Sequence, residues 1–158
     1  MASRKVIGPR IAVIGGSLGG LLAANMLWRA GCDVTVHERI GEELSGRGVG
    51  IAAHPELFDA FSRAGVDINR AIGIAVEDRV VLARDGSVEA SHKVRQVMCS
   101  WSSLLAMLRA ALPAERYFAG MEFTRAEPTG ADIRAIFADG TAIDADLVIG
   151  ADGIHSTL

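Results

Sequence analysis

The most constraining feature of the chain is a glycine-rich turn between a short apolar run and an amphipathic segment. Ile11–Gly15 is apolar throughout, as is typical of a buried parallel strand. Residues 17–30 then place leucines and a methionine at helical spacing, and Gly31 ends the pattern. Residues 33–38 are rich in β-branched side chains and predict a second strand. A strand–helix–strand unit of about 30 residues predicts a parallel sheet with helices packed on it.

The turn has the spacing that a bound dinucleotide requires. Its residues are Gly15, Gly16, Ser17, Leu18, Gly19 and Gly20. In the pattern G-x-G-x-x-G the first glycine permits the tight turn, and the last lets the helix approach the sheet. Ser17 takes the middle position, where its hydroxyl could donate to a phosphate oxygen, beside N–H groups that favour a pyrophosphate. We interpret the turn as a phosphate site; the alternative is a glycine-rich turn without a ligand.

An acid ends the second predicted strand. Glu38 lies 18 residues after Gly20, where a carboxylate can accept hydrogen bonds from both hydroxyls of an adenosine ribose. The same charge repels a 2′-phosphate, so the residue favours FAD or NAD over NADP. The alternative is a solvated surface acid.

The remainder of the chain predicts further helices, two hairpins and a last strand. Helices are predicted at residues 55–64 and 102–112, the second stopped by a proline. Asp85-Gly86 and Asp139-Gly140 each separate two short apolar runs and predict hairpin turns. Residues 147–150 read as another buried strand. The predicted fold class is therefore α/β and Rossmann-like, with a parallel sheet, helices and an antiparallel hairpin layer.

Composition excludes several classes of partner. The chain has 158 residues, a net charge of −3 and no run of like charges, which argues against nucleic acid and a polybasic membrane anchor. Its two cysteines are far apart, which suggests a reducing compartment and no metal cage. No apolar run approaches the roughly 18 residues of a membrane span, and no signal peptide is recognised. We therefore expect a cytoplasmic location and no membrane partner.

Three segments resemble the single-component FAD-dependent aromatic hydroxylases, the p-hydroxybenzoate-hydroxylase-like monooxygenases. They are Val13–Leu21 with Glu38 and Arg39, then Gly46–Ile51, and then Gly150–Ser156, which is similar to the family's DG motif. The Gly-Gly-Ser turn and the Ser100-Trp101 pair are most similar to the 2,6-dihydroxypyridine hydroxylase branch. The resemblance covers essentially the whole chain and identifies residues 1–158 as the N-terminal part of a truncated FAD-binding domain. Strands around residues 74–98 would then belong to the substrate domain.

The resemblance implies a cofactor, a reaction and a set of binding residues. FAD is the implied cofactor, and NADH or NADPH is the co-substrate for hydroxylating a small aromatic or heteroaromatic substrate with O₂. Asp152 and Gly153 would lie in the FAD groove, and Arg39 beside the adenosine. Gly50 and Ile51 would pass close to the isoalloxazine. Trp101 stands where many members have an arginine that reaches the flavin phosphates.

Several residues keep more than one interpretation at this point. Arg39 is either beside the adenosine or solvated, and Asp152-Gly153 is either in the groove or only a turn. Arg47 either reaches a phosphate or remains exposed. His54 either touches flavin or substrate, which makes it the one catalytic candidate, or starts a helix with its backbone alone. The other histidines, His37, His92 and His155, show no metal spacing.

Alternative functions also remain open from the sequence. They are an NAD-linked dehydrogenase half and a noncatalytic nucleotide-binding module. If the chain is part of a hydroxylase, we expect the isolated 158 residues to bind FAD weakly and to lack hydroxylase activity. The high apolar fraction, 50% of the residues, further predicts self-association unless a missing C-terminal part covers the exposed face.

Overall fold

A computed structural model describes residues 8–41, 50–68 and 72–158 of the chain. The helices in these ranges are α1 (Leu18–Arg29), α2 (Pro55–Arg63) and α3 (Trp101–Ala111), with a short 3-10 helix at Ala114–Arg116. The strands are β1 (Arg10–Ile14), β2 (Asp33–Glu38), β3 (Gly50–Ala53), β4 (Gly73–Leu82), β5 (Val88–Ser100), β6 (Tyr117–Ala119), β7 (Phe123–Thr129), β8 (Asp132–Phe137), β9 (Ala142–Ala145) and β10 (Leu147–Gly150).

The centre of the structure is a parallel sheet with the strand order β10-β1-β2-β6. Val13 on β1 lies in register with Ile149 on one side and with Val36 on the other. The two middle strands are largely buried, β1 through its continuous apolar run and β2 although it carries Thr35, His37 and Glu38. Because all four strands run in one direction, their carboxyl ends meet at one edge of the sheet.

One face of this sheet packs against α1 and α3. Ile11, Val13, Val34 and Val36 point to this side and join the leucines of both helices in one core cluster. Asn25 of α1 is also buried there, and its Nδ2 donates to the carbonyl of Leu21 at 2.8 Å and to that of Leu108 at 3.0 Å. The buried amide therefore links α1 to α3 and satisfies its own donors.

The opposite face packs against a second, antiparallel sheet with the order β7-β8-β9. Phe123 and Phe137 from this sheet contact Ile14 of β1 in a smaller core cluster. The sequence of layers is therefore helices, parallel sheet and antiparallel sheet, which is the predicted α/β class.

A third sheet, with the order β3-β5-β4, extends from the helical side. Ala53, Val97 and Cys99 anchor it in the main core cluster. Beyond this anchor, the β4–β5 hairpin exposes large apolar side chains. The most exposed are Ile74, Val80, Val81, Leu82 and Val88, at 47–74% of their full accessible area.

The structure confirms the predicted fold class, the three helices and the hairpins at both Asp-Gly pairs. It also shows strands that the sequence reading missed, namely β3, β6 and β7. The β4–β5 hairpin is longer than the two short runs beside Asp85-Gly86 and spans the range around residues 74–98 that the family resemblance implied. These segments are short, or exposed on both faces, so they lack the apolar alternation from which strands are predicted. No helix in the described part of the chain is long and apolar enough to cross a membrane.

Candidate functional site

A cavity of about 300 Å³ opens at the carboxyl edge of the parallel sheet, where ligands of open α/β sheets bind. It is bounded by the ends of β1 and β2, by the start of α3 and by the segment after β10. The predicted site residues that line it are Gly15, Ser17, Glu38, Arg39, Trp101, Asp152 and Gly153. The structure thus brings together residues that are up to 138 positions apart in the sequence, from Gly15 to Gly153.

The turn leaves no room for side chains at its first and last glycines. Gly15 has a φ of +106°, and a Cβ atom there would overlap the carbonyl of Ala151. A Cβ atom on Gly20 would overlap the carbonyl oxygen of Gly15, where α1 crosses the sheet. The N–H of Gly15 also donates to the carbonyl of His37 at 2.8 Å, which ties the turn to β2. Both predicted roles, the tight turn and the close helix approach, therefore have a direct steric cause.

The N-terminus of α1 presents backbone N–H groups beside the turn. Ser17 is the N-cap residue, and its side chain makes no capping hydrogen bond. The first N–H groups of a helix have no carbonyl partner within the helix, and they lie at the positive end of its dipole. Gly19 is exposed there, and a Cβ atom on it would meet nothing within 4 Å. The turn therefore offers an accessible site for an anionic group.

Glu38 is fixed by two backbone hydrogen bonds. Its Oε2 accepts from the N–H of Gly16 at 2.7 Å, and its Oε1 accepts from the N–H of Ile40 at 2.9 Å. Only 7% of the residue is exposed, so Glu38 is not a solvated surface acid. A carboxylate has about four lone-pair sites, so about two remain for a ligand. The geometry therefore holds a charged acceptor in one orientation at the cavity wall.

Asp152 both lines the cavity and organises its own loop. Its Oδ1 accepts from Ser156 Oγ at 2.6 Å, and its Oδ2 accepts from the N–H of Thr157 at 2.7 Å. Burial alone would raise the pKa of Asp152, but the hydrogen bonds from Ser156 and from backbone N–H groups of the loop together outweigh it and lower that pKa. Gly153 follows with a φ of +86°. The turn interpretation and the groove placement of Asp152-Gly153 are therefore compatible.

The side of the cavity nearest α3 is aromatic. Trp101 is the first residue of α3, and the hydroxyl of its N-cap Ser100 accepts from the N–H of Ser103 at 3.4 Å. Gly50 pairs in register with Ser100, which brings the start of β3 next to Trp101. Gly50 and Ile51 therefore lie beside the cavity without lining it.

Other predicted residues lie away from the cavity wall. Leu18 packs against the core, and Gly16 faces the ring of Tyr117. His54 is exposed at the N-cap of α2, and its carbonyl accepts from the N–H of Leu57. It stands at the other end of β3 from Gly50, about 13 Å away at the usual rise per residue. Arg47 lies outside the described residues.

Sequence reasoning missed several residues that line the cavity. Ile14 and His37 are at or next to the ends of β1 and β2, so their strand positions were a usable signal. Met121, Glu122 and Phe123 also line it, because the chain returns from β6 to β7 beside Glu38. That return depends on tertiary packing, and no local pattern marks it.

His37 is a buried histidine between two phenylalanine rings. It is 3% exposed, and its ring lies 5.1 Å from that of Phe118 and 4.9 Å from that of Phe137. Its Nε2 is 3.0 Å from Thr35 Oγ1, while its Nδ1 has no hydrogen-bond partner among the described residues. Burial lowers the pKa of His37 from 6.5 to about 4. The imidazole is therefore neutral at physiological pH.

The buried imidazole predicts a pH dependence of stability. Below pH 6.5 the His37 imidazole is protonated in the unfolded chain, whereas in the folded state it stays neutral down to about pH 4. Stability should therefore fall as the pH drops through this window, by about 3 kcal/mol in total for this one residue. Urea unfolding over a pH series should show a weaker dependence in His37→Phe than in the parent. The exposed His92→Leu should retain the parental slope, and an equal slope in His37→Phe would refute the assignment.

The fold and the site together define a dinucleotide-binding α/β domain. A parallel sheet carries at its carboxyl edge a glycine turn, a helix N-terminus and a fixed acceptor at the end of the adjacent strand. Nowhere in the described ranges do three or more His, Cys, Asp or Glu side chains gather as a metal site would require.

The chain belongs to the family of the FAD binding domain, whose model matches residues 9–158. It is 36% identical over 148 residues to the 2,6-dihydroxypyridine 3-monooxygenase of Paenarthrobacter nicotinovorans, a match that covers 91% of this chain and 36% of that protein. It is 33% identical over 162 residues to the 6-hydroxynicotinate 3-monooxygenase of Bordetella bronchiseptica, covering 95% of this chain and 42% of that protein. The chain thus spans well under half the length of these relatives.

Solved structures support the same family and fold. The 2,6-dihydroxypyridine-3-hydroxylase from Arthrobacter nicotinovorans superposes with a TM-score of 0.84 at 35% identity, over 97% of this chain and 39% of that one. A Klebsiella pneumoniae HpxO variant complexed with FAD superposes with a TM-score of 0.80 at 25% identity, over 95% of this chain and 41% of that one. The predicted family and fold are therefore confirmed, and the family favours FAD over the NAD-linked alternative.

Proposed function

We propose that this chain is the FAD-binding part of a flavin-dependent monooxygenase, which uses NADH or NADPH and O₂ to hydroxylate an aromatic or heteroaromatic ring. The observation that carries the proposal is the meeting of the glycine turn and the fixed Glu38 carboxylate at one cavity. The relatives support the reaction class, because those reported above are monooxygenases named for dihydroxypyridine and hydroxynicotinate. In this proposal Glu38 binds the hydroxyls of the adenosine ribose.

The residues present fit the adenosine and pyrophosphate half of FAD. Gly15 and Gly20 let the turn pack closely against Ala151 and the start of α1, and the exposed Gly19 leaves the backbone beside them open to a ligand. The N–H groups at residues 18–20 and the Ser17 hydroxyl, which makes no capping hydrogen bond, would hold the pyrophosphate. Arg39, at the exposed end of β2, would stack on or beside the adenine.

The remaining assignments extend the site toward the flavin ring. Asp152 and Gly153 would form the opposite wall of the groove, with the ionised Asp152 carboxylate held by its own loop. Gly50 and Ile51 would pass close to the isoalloxazine, with Trp101 as their aromatic neighbour. Arg47 is assigned to a phosphate from the family resemblance alone.

The protein's contribution is binding and orientation. When bound, the flavin supplies the redox and oxygen chemistry of the reaction. The chain's residues fix the nucleotide end, so that the ring is placed relative to the sheet. No described residue at the cavity is assigned as an acid or base for the ring chemistry, and His54, at the start of α2 outside the cavity lining, stays the one catalytic candidate.

We assign the β4–β5 hairpin to a substrate domain completed by further chain. Its apolar side chains are unusually exposed for a domain that folds alone, with Ile74 at 74% of its full accessible area. The isolated 158 residues should accordingly bind FAD weakly and associate with one another. Size-exclusion chromatography of the isolated chain with added FAD tests this, and a monodisperse monomer with tightly bound FAD would contradict it.

The proposed function is tested on the full-length gene product. We expect a yellow protein that releases FAD on denaturation and oxidises NADH or NADPH faster when a hydroxypyridine or hydroxybenzoate is present. Product analysis by mass spectrometry should show one added oxygen on the ring. Bound NAD without flavin would instead support the dehydrogenase alternative, and a protein that binds no nucleotide would overturn the proposal.

A further inference from the structure

The dinucleotide motif does not explain why residue 16 is a glycine. The pattern uses Gly15 and Gly20, and Gly16 occupies an unspecified position between them. The φ of Gly16 lies outside the left-handed region, so its backbone conformation is open to any residue. The constraint on this position must therefore come from its surroundings.

Those surroundings are the ring of one tyrosine. A Cβ atom built on Gly16 would overlap Tyr117 Oη and would lie 2.7 Å from Cε2 and 2.8 Å from Cζ of the same ring. Real Cβ atoms essentially never show such distances, so the ring or the turn would have to move. Tyr117 thus fills the place where a side chain on residue 16 would be.

The ring is itself held from two directions. Tyr117 begins β6 and lies in register with Val36 of β2, which sets its backbone against the central sheet. On the helical side, the Arg109 guanidinium of α3 stacks over the ring, with Cζ 4.3 Å from the ring centroid. A half-buried ring with both backbone and cation contacts has little freedom to give way.

The Gly16 backbone links the Tyr117 ring to the Glu38 carboxylate at the cavity. The N–H of Gly16, the residue that the ring supports, donates to Glu38 Oε2 at 2.7 Å. Burial, and then the charge of Glu38, raise the pKa of Tyr117, while Arg109 lowers it. The hydroxyl is therefore neutral at physiological pH and lies within electrostatic range of Glu38.

We propose that Tyr117, held by Arg109, is a positioning residue that sets the backbone of Gly16 and thereby the orientation of the Glu38 carboxylate toward the nucleotide. The proposal rests on the proposed function, because Glu38 is taken as the ribose acceptor. It adds a residue from β6, outside the sequence motif and outside the cavity wall, to the machinery that binds the cofactor.

A double-mutant cycle on the full-length gene product tests the proposal. Gly16→Ala should raise the Kd for FAD by about 10-fold or more, as expected for coupled residues in contact. The same change made in a Tyr117→Ala background should raise the Kd by less than about 3-fold, because the space for the methyl group is then open. In a Tyr117→Phe background the effect of Gly16→Ala on the Kd should be only partly reduced, since Cε2 and Cζ of the ring remain.

Phe118→Ala is the matched control. Phe118 follows Tyr117 directly, but its ring stacks on His37 toward the opposite face of the sheet. Its removal costs packing without opening space at Gly16, so the full effect of Gly16→Ala on the Kd should persist. If Tyr117 sets the Gly16 backbone, Tyr117→Ala alone should also raise the Kd for FAD. A parental Kd in Tyr117→Ala, or the same Gly16→Ala effect in all backgrounds, would overturn the proposal.

The outcomes remain decisive if the Gly16→Ala variant does not fold. Tyr117→Ala alone then carries the test: a soluble protein with a raised Kd for FAD would support the proposal, and a parental Kd would overturn it. A parent protein that binds no FAD would overturn the proposed function itself. A parent that binds FAD, with additive variants, would overturn only the role of Tyr117.

Discussion

Valine in place of Gly15 or Gly20 should abolish FAD retention by the full-length gene product. At Gly15 the new side chain would meet the Ala151 carbonyl in a left-handed backbone conformation, and at Gly20 it would meet the carbonyl oxygen of Gly15. Neither contact can be relieved by rotating a side chain, because backbone atoms form both. The measurement is the ratio of flavin to protein after purification, followed by FAD titration of the apoprotein.

Ser17→Gly provides the comparison within the same turn. It removes a hydroxyl that makes no capping hydrogen bond and restores the usual middle glycine, so FAD affinity should fall by no more than about threefold. Thermal unfolding of each apoprotein separates loss of the site from loss of the fold. Stoichiometric FAD in purified Gly15→Val would mean that the cofactor lies elsewhere.

Removal of the Glu38 carboxylate should give the second-largest loss. Glu38→Ala deprives the ribose of its acceptor and leaves the N–H groups of Gly16 and Ile40 without theirs. Hydrogen bonds to a charged group contribute about 1.5–3 kcal/mol, so the Kd for FAD should rise by about 10- to 150-fold. Flavin fluorescence titration measures the change directly.

Glu38→Gln distinguishes a charged acceptor from a merely polar one. Glutamine has a single acceptor oxygen, and its amide nitrogen would face a backbone N–H, donor against donor. It should therefore recover little of the loss. Glu56→Ala, which removes an exposed acid from the first turn of α2, should leave the Kd near the parental value. An unchanged Kd in Glu38→Ala would exclude the ribose assignment.

The N-terminal strand–helix–strand unit could be predicted closely because its determinants are local. The apolar run to Ile14, the turn glycines and the β-branched strand ending at Glu38 each act over a few residues. The partners of Glu38 could not be read in the same way. Its position at a strand end was visible, but its hydrogen bonds to Gly16 and Ile40 depend on how the turn folds over β2.

The other wall of the cavity was less predictable because it is assembled from distant segments. Met121–Phe123 reaches the cavity through the short strand β6, whose three residues carry too little periodicity to be recognised. Tyr117 carries no motif, and its contact with Gly16 follows from the register of β6 on β2. His54 does not line the cavity, because it follows β3 at the end away from Gly50.

The place of β10 in the central sheet has a consequence for synthesis on the ribosome. β1 is among the first segments to emerge, yet one of its two neighbours is β10, and Arg10 bonds Asp146 across 136 residues of sequence. Closing so long a loop is slow, and until then the β1 edge on that side has its N–H and C=O groups unpaired. The Ala151 carbonyl beside the turn and the Asp152 loop arrive with the same late strand. The nascent chain therefore acquires a complete nucleotide cradle only after residue 152 has left the exit tunnel, and cofactor capture during translation cannot precede that moment.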